Sequence, residues 1–180
     1  MFDLLGFEPV NEAIWFVIFV QALGLIAMAL DLYAANQKSD SKLMRVIALS
    51  SAIFAVHFML LSAIPAALSE LITAARYYVA DKYKKKLVCL VFIGFYMLCG
   101  VFVADSLFDT LPFLASIIGT IAIFFFNGIS MRILFILGQS MWLAYGVVVF
   151  SLGGIILYLS LITMTATTIY RLYKVENNGA

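Results

Sequence analysis

The chain is 180 residues long, 65% hydrophobic and only 12% charged, with a formal net charge of +1 and a mean hydropathy of +1.10. So few polar residues cannot coat a water-soluble surface, which excludes a soluble globular domain. Basic residues interleave with no aromatic surface, which argues against nucleic acid as a partner, and the single histidine with no HExxH, GxSxG or phosphate-binding glycine loop argues against an enzyme, a metal site or a cofactor.

The N-terminal tail holds Asp3, Glu8 and Glu12 and lacks the basic start of a cleavable signal. Seven apolar runs follow, at 13–33, 44–63, 65–80, 87–104, 111–126, 131–150 and 153–170. Most are near the length that crosses a bilayer, and the shorter ones can extend into their flanks. The first carries Gln21, Gly24 and Asp31, the second Ser50 and His57, and the third Glu70, Thr73 and Tyr77. The fourth shows only Cys89, Cys99, Tyr96 and glycines; its cysteines stand about 15 Å apart along a helix, too far to bond or share a metal. The fifth offers Ser116, Thr120 and Asn127, the sixth Arg132, Gln139, Trp142 and Gly146, and the seventh Gly153, Ser160, Thr163, Thr167 and Arg171. Connections are predicted at Ile64 with Pro65, at 127–130 and at Ser151 with Leu152, short enough to make the joined helices antiparallel neighbours. Residues 175–180 read as a frayed tail.

Charge sorts by side. Threaded from outside, the chain puts Lys38, Lys42, Arg45, Lys82, Lys84, Lys85, Lys86, Arg132, Arg171 and Lys174 at one face, with Arg76 inside the third span nearer that face. Asp105 and Asp109 fall on the other. By the positive-inside rule the expected protein is a multi-pass membrane protein with its N-terminus outside and its C-terminus in the cytoplasm. Lys82 to Lys86 orient the chain and can touch anionic lipid, so the bilayer is the first partner.

The expected fold is an all-α membrane protein in which residues 1–180 form one transmembrane domain. Spans one to three (13–80) and five to seven (111–171) make two three-helix units, and the fourth (87–104) is left over as a linker. Aligning His57-Phe58 with Tyr145-Gly146 sets Pro65-Ala66 opposite Gly153-Gly154 at constant offset. An odd linker makes both units enter from one side, as parallel repeats about the membrane normal.

Ionisable groups inside spans are the sharper signal, because a central charge costs about 2.5–3.5 kcal/mol on insertion scales. His57 and Glu70 flank one hairpin, each about 8–9 Å below the outer surface, and are expected to meet, either carrying a proton or ligand or fixing the hairpin as an ion pair. Asp31, Arg45, Arg76 and Arg132 are expected at a cytoplasmic mouth, receiving an anionic metabolite or obeying topology as snorkelling arginines. The candidate substrate site is Gln21, His57, Glu70, Thr120, Gln139 and Trp142.

His57-Phe58, the small-residue hairpin Ala63-Ile64-Pro65-Ala66-Ala67, Arg76, Leu111-Pro112, Thr120, Met131-Arg132, Trp142 and Tyr145 together resemble the YgjV-type bacterial inner-membrane proteins over nearly the whole chain. More distantly, the three-one-three plan is similar to the SWEET and PQ-loop superfamily of facilitators and receptors. The chain departs from that pattern: Gln21 follows no proline, and Pro112 is read at a helix start. The resemblance implies a bacterial inner-membrane location, with the N-terminus periplasmic, and the paired polar stripes point to a carrier of a small polar metabolite. The alternative is a receptor or assembly partner that moves nothing, and three-helix units can also pair as a homodimer.

Overall fold

The computed structural model describes residues 8–35, 40–83, 85–126 and 128–178; Asp3, Lys38, Lys84 and Asn127 lie outside them. Among the described residues seven helices follow in order: α1 (Glu8–Ala35), α2 (Asp40–Leu60), α3 (Ile64–Lys82), α4 (Lys86–Val103), α5 (Leu107–Phe125), α6 (Gly128–Val148) and α7 (Leu152–Asn178). Four of them contain stretches long and apolar enough to cross a membrane, Ile14–Ala34, Lys86–Val103, Gly128–Val148 and Leu152–Lys174, while Met44–Leu60 and Leu107–Ala122 are shorter apolar helices. The third helix is the least apolar because Glu70, Thr73 and Arg76 are built into it, and all three are buried.

The helices depart from the apolar runs mainly at their ends. Helix α5 starts four residues before Leu111, because Ser106 and Asp109 form a capping box: the Asp109 N–H donates to Ser106 Oγ (3.3 Å), and the Ser106 N–H donates to Asp109 Oδ2 (3.1 Å). Pro112 therefore lies inside the helix and not at its start. Pro65 belongs to the first turn of α3, where its missing N–H costs nothing, so the turn sits at residues 61–63. Helix α7 continues to Asn178, through much of the stretch read as frayed.

The α2–α3 and α6–α7 turns are built alike. In the first, Leu61, Ser62 and Ala63 donate to the carbonyls of His57, Met59 and Phe58; in the second, Val149, Phe150 and Ser151 donate to those of Tyr145, Val147 and Gly146. Each residue of the second set is numbered 88 above its counterpart, as 150 is above 62. Both turns pass through the left-handed region, at Ser62 (φ 58°) and Phe150 (φ 54°), which returns the last helical carbonyls to a donor.

Helices adjacent in sequence pack together, α1 closes against α7, and α3 against α5, so six helices make a ring; among the described residues α4 touches only α3 and α5. Polarity is inverted relative to a soluble bundle. Ser50, Ser51, His57, Ser69, Glu70 and Thr120 are buried, whereas Leu90, Phe95, Met97, Leu98, Val101 and Phe102 of α4 are exposed. An apolar outer surface needs no hydration in hydrocarbon, and the polar groups find partners inside.

Candidate functional site

A cavity of about 250 Å³ lies within the helix ring, lined by groups from α1, α2, α3, α5, α6 and α7. Its charged groups are Asp31 from α1 and Glu70 and Arg76 from α3, and its wall includes Gln139, Trp142 and Tyr158. The helical stripe of α3 explains three of these placements: Glu70, Thr73 and Tyr77 are spaced three and four apart, so all point the same way, and all line the cavity. The Ser51 hydroxyl is set against the Glu70 carboxylate, and the Ser50 hydroxyl lies beside Asp31. Oδ1 of Asp31 and Oε1 of Gln139 are shielded from solvent and accept no hydrogen bond among the described residues.

Arg76 does not snorkel to the membrane surface. It is buried, donates to Thr120 Oγ1 and stacks over the Tyr77 ring at 4.8 Å, with the Tyr96 ring at 6.0 Å. Thr120 in turn donates to the Ser116 carbonyl (2.6 Å), so it stands behind the cavity as a seat for the guanidinium. Tyr96 hydrogen-bonds Thr73 (2.8 Å), which gives the fourth helix, read from the sequence as a leftover linker, a polar contact with the interior. Trp142 stacks on Tyr158 at 5.7 Å with the rings 11° apart, and on Phe58 at 5.9 Å, so it forms both wall and core.

His57 and Glu70 do not pair. His57 Nδ1 lies 2.8 Å from the Val20 carbonyl, and because a carbonyl only accepts, Nδ1 carries the proton. In the neutral ring Nε2, 2.8 Å from Ser151 Oγ, then accepts from that hydroxyl, which itself accepts from the Gly154 N–H (3.2 Å). Both ring nitrogens are satisfied by α1 and the α6–α7 turn. Gly24 makes the space: a Cβ there would lie 2.9 Å from His57 Cε1. Gln21 serves the same turn, donating to the Phe150 carbonyl (2.8 Å) and accepting from the Leu152 N–H (3.0 Å).

The expected substrate set therefore divides. Glu70, Gln139 and Trp142 line the cavity, Thr120 supports Arg76, and Gln21 and His57 clamp the α6–α7 turn at the other end of the bundle. Of the expected mouth residues, Asp31 and Arg76 line the cavity. Arg132 donates to the Gly128 carbonyl of its own helix (2.8 Å), and Arg45 is exposed on α2; neither lines the cavity. Sequence reading missed Ser51 and Tyr158. Tyr158 follows Ser151 by seven residues and so shares a helix face with the turn's hydroxyl, a signal hidden among many aromatics.

Comparison with known proteins agrees with this membrane architecture. The chain is 24% identical to the inner membrane protein YgjV of Escherichia coli (strain K12) over 159 residues, 88% of this chain and 87% of that protein. No solved structure matches it. Residues 18–176 match the family Imp-YgjV, described as bacterial inner membrane protein, a match that runs from within α1 to within α7, and the chain belongs to that family of integral inner-membrane proteins.

Proposed function

We propose that this protein is a carrier of small polar molecules, built as two three-helix units, α1–α3 and α5–α7, with α4 as the linker outside them. The supporting geometry is a set of exchanges. A half-turn about an axis along the bundle would trade α1 for α5 and α3 for α7, and it would also trade the two contacts between units, α1 with α7 and α3 with α5. The two like turns occupy matching places, and the reach across units is reciprocal: His57 meets Ser151, while Tyr145, its counterpart, meets the Ala66 backbone.

The observation that carries the reading is the charged cavity between these units. Glu70 and Arg76 are buried inside the helix ring, and charged groups enclosed among membrane helices usually serve a ligand or an ion path. At one end the units are latched by Gln21, His57 and Ser151. The cavity lining runs away from that latch, towards Asp31 and Tyr77 near the basic end. With the basic end in the cytoplasm, this is a carrier shut outside and facing inward, whose transport step opens the latch.

Counterflow in proteoliposomes, with a panel of polar metabolites, tests the proposal. Flux of a panel member is expected in wild type and lost in Glu70→Gln, whose amide keeps the shape and removes the charge. Ligand-induced thermal stabilisation without flux for any stabilising compound would assign the chain to a non-transporting receptor or assembly role instead.

A further inference from the structure

We infer that the cavity takes a compact organic cation bearing N–H donors, of the primary ammonium class. This rests on the carrier site above and names its ligand chemistry. The first observation is the pair of unmatched acceptors. Asp31 Oδ1 and Gln139 Oε1 are both out of contact with solvent and both without a donor among the described residues, and they belong to α1 and α6, one in each three-helix unit. Buried polar atoms are nearly always matched, so two free acceptors on one cavity mark where donors belong. A ligand that donates to both would tie the units together.

Charge is the second observation. Asp31 and Glu70 bring two carboxylates to the cavity and Arg76 one guanidinium, which is itself held by Thr120 and the rings of Tyr77 and Tyr96. With both carboxyls ionised they outnumber the cation, so a monocation balances the site and an anion adds repulsion in a medium that screens poorly. Third, the stacked Trp142–Tyr158 pair provides a rigid apolar wall for the hydrocarbon part of such a ligand. At about 250 Å³, the cavity lies below the roughly 300–1,000 Å³ typical of drug-sized pockets, so the cation is small.

The probes are benzylammonium, benzyl alcohol and phenylacetate, of similar shape and different charge, titrated into the full chain in detergent. The sequence holds two tryptophans, and Trp15 is exposed on α1, so Trp15→Phe leaves Trp142 in the cavity wall as the reporter. Benzylammonium is expected to change Trp142 fluorescence saturably and to bind at least about tenfold more tightly than the other two, the scale of one charged hydrogen bond. Asp31→Asn is expected to remove that advantage; should it fail to fold, Gln139→Leu removes the second acceptor with no change of charge and is expected to weaken benzylammonium alone. Equal or tighter binding of phenylacetate, unchanged benzylammonium binding in whichever variants fold, or no saturable binding of any probe overturns the assignment. Binding is read without flux, so cation binding with no transport sinks the carrier reading alone, and transport of an anion with no cation binding sinks the ligand class alone.

Discussion

Gly153 is a residue whose value lies in what it lacks. A Cβ built on it would lie 2.3 Å from both the carbonyl carbon and oxygen of Gly24, atoms of a helix backbone that cannot swing aside. Small residues let membrane helices approach at the backbone, and here they bring α1 onto α7 beside the latch. Gly153→Ala is expected to force the two helices apart and to destabilise by about 1–3 kcal/mol, as overpacking does. Gly94→Ala is the internal control: a Cβ there meets nothing within 4 Å, and alanine in a helix is expected to be neutral or to gain about 0.5–1 kcal/mol. Thermal melts in detergent read both, and equal midpoints for the two variants would refute the close-approach account. Both glycines of the contact were legible as members of polar stripes. What the stripes face was not. Ser50 and His57, seven apart on α2, look to α1, where Ser50 donates to the Ala27 carbonyl (2.8 Å) and His57 to that of Val20. Chain position gives the depth of a residue in a membrane, and so matched His57 to Glu70. It does not give rotation about the helix axis, which comes from packing.

At the scale of elements, the two like turns are the part of the fold most open to engineering. Neither Ser62 nor Phe150 is glycine, yet both take left-handed backbone angles that cost an ordinary residue about 1–2 kcal/mol. Ser62→Gly and Phe150→Gly are each expected to raise stability by about 1 kcal/mol at most, the glycine's unfolded-state entropy taking back part of the gain. Phe150 is 77% exposed, so little packing is lost with its ring. A fall in melting temperature for both variants would show that the turns are not under backbone strain. The number and order of helices could be read from apolar runs, since each run is long and bounded by charge or by a turn residue. The turns themselves were read one to three residues late in the α2–α3 connection, because Pro65 looks like a break when it is a helix start, and a left-handed cap without glycine leaves no mark in composition.

For the whole molecule, the charge pattern and the latch make one joint prediction. In the orientation expected from charge sorting the α6–α7 turn faces the periplasm, and the structure ties that turn to α1 through Gln21 and to α2 through His57. If the carrier works by opening that end, holding it shut must stop transport while leaving the cavity intact at the other end. Gln21→Cys with Leu152→Cys, in a chain whose two native cysteines are replaced, puts thiols on positions that now share a hydrogen bond. A short, membrane-impermeant bifunctional thiol reagent with a reducible bridge, added to right-side-out vesicles, is expected to join them, abolish flux, and release it again on reduction. Ligand binding to the joined protein in detergent is expected to persist, because Asp31, Glu70 and Gln139 lie away from the bridge. Failure to react from outside, with ready reaction after the vesicles are opened, would invert the assigned orientation. Reaction with full flux would mean that the clamped end never opens, and that α1 and α7 hold together throughout whatever this protein does.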